Sequence, residues 1–105
     1  MTGGLGDLGR FSGPAALVLS SLAGGAKHGY ALTKDIEEFA GVRVGPGTLY
    51  GVLVRLEGEG LIEPLPNEGR RRPYRLTAAG STALSLHLTS QKRTADVGLR
   101  RLATS

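Results

Sequence analysis

A mainly α fold with one small β-hairpin and a long closing helix is what the residue order predicts, and three observations carry it. From Pro14 to Gly60, apolar residues recur at helical spacing in short segments separated by glycine and proline. Two brief proline-bearing runs, Leu61 to Leu65 and Pro73 to Leu76, flank a polar connection rich in arginine. After Pro73 the chain has no further proline, and apolar residues continue at helical spacing to Leu102.

A chain of 105 residues makes one domain with a modest core, which gains from a partner's surface, so a dimer is expected before any motif is read. The hydrophobic fraction is 40%, yet no apolar run approaches the roughly 18 residues of a membrane span. The N-terminus lacks a charged region followed by a hydrophobic segment, and a soluble, cytoplasmic protein with no membrane partner is expected. There is no cysteine, hence no disulfide framework or thiolate metal site, and His28 and His87 stand far apart, so neither metal nor cofactor is expected. Thirteen Lys plus Arg against nine Asp plus Glu leave a charge of +4, which suits a polyanionic partner.

Taken in order, residues 1–12 carry four glycines and read as a flexible arm, with Leu5, Leu8 and Phe11 spaced for a frail amphipathic turn. Ser12-Gly13-Pro14 starts the first helix, with Ser12 as cap; Ala15 to Ala23 is too apolar for a surface helix, and Gly24-Gly25 ends it. The second helix spans about Gly29 to Ala40. It presents Leu32, Ile36, Phe39 and Ala40 on one face and Lys34, Asp35, Glu37 and Glu38 on the other, and stops at Gly41. Val42-Arg43-Val44 reads as a short strand or extended turn. Gly45 caps and Pro46 begins the third helix, which Gly58 and Gly60 close. Thr77 caps the final helix, expected to run to roughly Leu102. These elements partition the chain into the arm (1–12), a compact helical and hairpin unit (13–76) and a terminal helix (77–105).

On a helical wheel the third helix gathers Leu49, Val52, Leu53 and Leu56 on one stripe, the packing face. The opposite face falls to Gly47, Gly51, Val54 and Gly58, between Tyr50 and Arg55, and bears almost no side chain. Each interior glycine costs roughly 1 kcal/mol relative to alanine. Close approach of the helix backbone to a groove wall or phosphate explains such a face; a glycine-rich composition, 17 of 105 residues, explains it equally. Short helix, turn, bare second helix and basic hairpin together outline a winged helix-turn-helix, in which the second helix of the pair enters a DNA groove and the hairpin follows the backbone. Thr48 and Tyr50 then reach bases or phosphates, Val54 a thymine methyl, and Arg55 a phosphate or guanine edge.

Arg70, Arg71, Arg72 and Arg75 supply the electrostatics, on a tip that Gly69 lets turn sharply. Guanidinium groups donate bidentately to phosphates. Alternation along an extended chain puts Arg70 and Arg72 on one face and Arg71 on the other. The final helix carries two stripes: Leu84, Leu88, Gln91, Ala95, Leu99 and Leu102 follow a coiled-coil-like spacing, with Ala79, Ala83, Leu86 and Val97 nearly opposite. One face covers its own domain and the other awaits a second copy, which makes this a C-terminal dimerisation helix. A two-fold dimer sets the paired third helices about 34 Å apart and calls for a palindromic site.

Other chemistries find little footing. Gly24 to Gly29 has Tyr30-Ala31 where a phosphate loop needs Lys and Ser/Thr, and Tyr50 interrupts the G-x-G-x-x-G spacing of Gly45, Gly47 and Gly51. His28, at the entrance of the second helix, reads as a cap or packing residue, and no catalytic set stands out, so no enzyme is expected. The runner-up reading is a winged-helix protein-protein interaction module, with the arginine hairpin and bare helix facing an acidic protein.

His28-Gly29-Tyr30, Gly47-Thr48-Leu49-Tyr50 with Leu53, Arg55-Leu56-Glu57, Gly60-Leu61-Ile62, Arg70-Arg71-Arg72, Tyr74-Arg75-Leu76-Thr77 and Gly80 stand in an order and spacing that resembles the PadR-like transcriptional regulators, in their short form with one C-terminal helix. The resemblance covers roughly Ala15 to Leu88. It implies a winged helix-turn-helix homodimer, usually a repressor of a palindromic operator in double-stranded DNA, modulated by a small aromatic effector. By position it implies DNA contacts at Thr48, Tyr50, Gly51, Arg55, Arg70, Arg71 and Arg72. Gly51 stands where the family frequently has proline, and Val54 where a basic residue is sometimes found. Gln91 holds the place where some relatives stack flat ligands on tryptophan, a residue this chain lacks.

Overall fold

A computed structural model describes residues 13–104; the arm read at 1–12, and with it the cap assigned to Ser12, lies outside them. Four helices and a hairpin follow in the order α1 (Pro14–Ala23), α2 (Gly29–Ala40), α3 (Pro46–Gly58), β1 (Ile62–Pro64), β2 (Tyr74–Leu76) and α4 (Ala78–Thr104). Their ends sit at the expected punctuation. At the start of α1 the N-cap is Gly13, one residue after the cap read from the sequence, with Pro14 in the first turn; α2 closes on Gly41, and Gly45-Pro46 opens α3.

The core joins Ala15, Val18, Leu19 and Leu22 of α1 to Leu32 and Ile36 of α2, Leu49, Leu53 and Leu56 of α3, and Val44, Ile62 and Leu84. Full burial of a Leu or Ile contributes about 1.5–3 kcal/mol. The three buried leucines of α3 therefore outweigh the roughly 1 kcal/mol that each of its interior glycines costs, and packing, not propensity, carries this helix. Of the short strand or extended turn expected at Val42-Arg43-Val44, the extended form is what occurs, and it drives Val44 into the core. Phe39, read on the buried stripe of α2, is 51% exposed, whereas Ala40, one residue on, packs against the core.

The hairpin is antiparallel, pairing Ile62 with Leu76, Glu63 with Arg75 and Pro64 with Tyr74. Leu65 N–H donates to the Pro73 carbonyl at 2.8 Å, extending the ladder past Pro64. On its other edge β2 meets the α1–α2 connection, where Lys27 and Tyr74 exchange backbone hydrogen bonds of 3.1 and 2.9 Å. Lys27 is itself anchored: its Nζ donates to the Ser21 carbonyl at 2.5 Å and lies 3.9 Å from the Asp35 carboxylate, to which Ser21 Oγ donates at 2.5 Å. One polar cluster thus ties α1, α2 and the hairpin together and sets the angle at which the hairpin leaves the body.

The start of α4 is locked to the hairpin. Thr77 Oγ1 accepts from Gly80 N–H at 3.0 Å, the helix cap, and donates to the Gly60 carbonyl at 2.7 Å. Gly80, Ala83, Leu84 and His87 face the body as buried or half-buried residues. This corrects the stripe assignment. Leu84, read at the head of the dimerisation seam, is 5% exposed in the chain's own core, while Leu86 and Ala79 are exposed. The backbone contact at Gly80 turns α4 so that Leu84 follows it inward.

Candidate nucleic-acid interface

α3 presents a bare surface. Thr48, Tyr50, Gly51, Val54 and Arg55 are all exposed, and a Cβ built at Gly47, Gly51 or Gly58 meets no atom within 4 Å. No internal packing of the described residues therefore requires these glycines. Tyr50 is 69% exposed, so its ring is not buried against the hairpin. Arg55 lies in the last turn of α3, where a cation complements the helix dipole.

The hairpin tip turns through Glu68 and Arg71, whose backbones exchange hydrogen bonds of 2.7 and 3.0 Å around Gly69 at φ 65°. A side chain seldom adopts that left-handed conformation, and glycine adopts it without strain. Because the tip is a tight turn and not a strand, simple alternation does not govern its arginines. Arg70 makes no hydrogen bond or ion pair with another described residue. Arg71 Nη1 lies 3.3 Å from His28 Nε2, and Arg72 Nη1 donates to the Leu65 carbonyl at 3.2 Å. Arg75 Nε donates to Glu63 Oε2 at 2.6 Å in an ion pair across the strands. Arg70, Arg71 and Arg72 are all exposed, so the tip presents basic side chains to solvent while Arg75 already has its counter-charge.

Tyr74 marks where the two elements meet. Burial pushes its phenol above the ordinary 10.0, Glu57 of α3 adds to the rise, Arg72 opposes it, and Tyr50 contributes in the same direction as Glu57. The exposed face of α3 and the root of the wing thus lie within electrostatic reach of one side chain. Of the cap and packing roles the sequence leaves to His28, the cap is formed: its Nδ1 accepts from Ala31 N–H at 3.3 Å. Its contact with Arg71, 43 residues away, has no local signal.

Between α2 and α3 opens a cleft of about 470 Å³, lined among others by Tyr30, Thr33, Val44, Pro46, Leu49 and Tyr50. Its volume falls within the range of small-molecule sites. Along the outer part of α4, Leu88, Leu99 and Leu102 are 45%, 66% and 74% exposed, with Gln91 and Ala95 exposed between them. Among the described residues no cluster of three or more His, Cys, Asp or Glu could hold a metal ion, and no helix is long and apolar enough to cross a membrane.

Comparison with known proteins agrees with this architecture. A 37.1 kDa protein in a transposon of Streptomyces fradiae is 49% identical over 77 residues, 73% of this chain. A transcriptional regulator of Mycobacterium tuberculosis is 45% identical over 71 residues, 65% of this chain. The matches span 22% and 65% of those relatives' own lengths. The crystal structure of a PadR family transcription regulator from Clostridium difficile R20291, 25% identical, superposes with a TM-score of 0.75 over 84% of this chain and 96% of that one. The family described as transcriptional regulator PadR-like, whose members are regulators and not enzymes, matches residues 18–86. With that match covering well over half its length, the chain belongs to the PadR-like family of transcriptional regulators.

Proposed function

We propose that this chain binds double-stranded DNA as a homodimer and acts as a repressor, two copies of α3 entering successive major grooves of a palindromic operator in the cytoplasm. The observation that carries the reading is the pairing of a helix face stripped of side chains at Gly47, Gly51 and Gly58 with an adjoining tip that exposes Arg70, Arg71 and Arg72. A bare face lets the helix backbone approach the groove closely, and the arginines supply the phosphate contacts that hold it there. Thr48, Tyr50 and Arg55 are the groove-facing side chains, which gives few donors for direct readout and assigns part of the specificity to DNA shape. Leu88, Gln91, Ala95, Leu99 and Leu102 form the dimer face. The apolar cleft flanked by Tyr30 and Tyr50 suits a small aromatic effector, which there would displace Tyr50 from the DNA.

Binding to random duplex DNA over a range of salt tests the reading. The expected result is micromolar or tighter affinity at low salt that weakens steeply as salt rises, and Arg70→Ala should flatten the slope of log affinity against log salt by about 0.9. Salt-insensitive or absent duplex binding would replace this reading with the acidic-protein module.

A further inference from the structure

We propose that His28 and Arg71 form a phosphate clamp at the junction of α2 and the wing, so that one phosphodiester of the duplex is held by an imidazole N–H together with a guanidinium. The proposal rests on the DNA-binding reading above and adds to it a contact on a different element from α3.

His28 Nδ1 accepts the Ala31 N–H at 3.3 Å and thereby caps α2. A neutral imidazole that accepts at one nitrogen carries its proton on the other, so Nε2 is a donor. Arg71 Nη1 stands 3.3 Å from that Nε2, and a guanidinium has donors only. Two donors therefore face each other at hydrogen-bond distance with no acceptor between them. Moving the proton to Nδ1 would let Arg71 donate to Nε2, but it would aim an N–H at that of Ala31 and remove the cap. No placement of the single ring proton satisfies both contacts.

One anionic oxygen between the two groups resolves the conflict. It accepts from Nε2–H and from the guanidinium at once, and Nδ1 keeps its cap. Hydrogen bonds of this charge-assisted kind are the strong ones. Access is open, since Arg71 is exposed and His28 half-buried. Arg71 has no carboxylate partner among the described residues to compete with a phosphate. The tip backbone is pinned by the Glu68–Arg71 bridge, so only the arginine side chain has to move to admit the oxygen.

His28→Asn tests the clamp, because asparagine is a favoured N-cap and preserves α2 while removing the Nε2 donor. Measured by fluorescence anisotropy on a random duplex, this variant should bind at least about tenfold more weakly, the effect of one hydrogen bond to a charged group. Its salt slope should stay at the wild-type value, since a neutral donor releases no counterion. Arg71→Gln should weaken binding and flatten the slope by about 0.9. In the wild-type protein, nitrogen-15 spectra of the imidazole should place the proton on Nε2 in the DNA complex. Wild-type affinity for His28→Asn, or a bound ring with its proton on Nδ1, would overturn the clamp while leaving DNA binding intact. The spectrum decides the matter even if the variant does not fold. Absence of duplex binding by the wild-type chain would remove both readings together.

Discussion

At Gly80 the helix backbone of α4 rides directly on Leu61, the residue that leads into β1. A Cβ there would fall onto the carbonyl oxygen of Leu61 and come within 2.9 Å of its carbonyl carbon and 3.0 Å of Leu76 Cδ1. Two of those atoms are backbone and cannot rotate away. Gly80→Ala should accordingly destabilise the chain by about 2–3 kcal/mol through overpacking, the roughly 1 kcal/mol of added helix propensity notwithstanding. Thermal unfolding should show a loss on the order of 10 °C. Gly98→Ala, with open space around its Cβ, is the control and should leave the core packing untouched. Gly80 was visible in the sequence as part of a recurring pattern, but nothing local to Thr77-Ala78-Ala79-Gly80 reveals that Leu61 lies against it. The same holds for His28, whose cap role is a local matter and whose meeting with Arg71 is not.

Among the elements, α3 sets stability against function. Its packing face of Leu49, Leu53 and Leu56 is buried, and its outer face is left to glycine where nothing in the described residues forbids a side chain. Gly51→Ala should therefore raise stability by about 0.5–1 kcal/mol and at the same time weaken duplex binding, a methyl group standing between helix and groove. Thermal unfolding and anisotropy on the same variant check both halves; a gain in stability with unchanged affinity would mean that the glycines serve no contact. The ends of α3 were legible because Gly45 and Pro46 act within one turn. The surroundings of the wing arginines were not, because a tight turn replaced the extended chain on which alternation depends.

At the scale of the whole molecule, α4 runs for 27 residues, about 40 Å at its helical rise. Only its first turns are covered, through Gly80, Leu84 and His87, which is why the molecule measures 55 Å along its longest axis and 22 Å along its shortest. Beyond them Leu88, Leu99 and Leu102 stand in solvent, and a second copy of the helix is the surface we propose covers them. Leu99→Glu should convert the dimer to a monomer in sedimentation equilibrium and reduce operator affinity well over tenfold, since each half-site would then be bound alone. An unchanged mass would take Leu99 out of the seam.

By itself, the sequence determined the succession of elements, their ends, the burial of α1 and the basic tip, because caps, prolines, glycines and apolar periodicity all act within a few residues. Tertiary structure alone decided which stripe of α4 turns inward, sending Leu84 into the core, which arginine already has a counter-charge, and that His28 faces Arg71. Those outcomes depend on atoms brought together from distant parts of the chain, and no pattern along it records the distance between them.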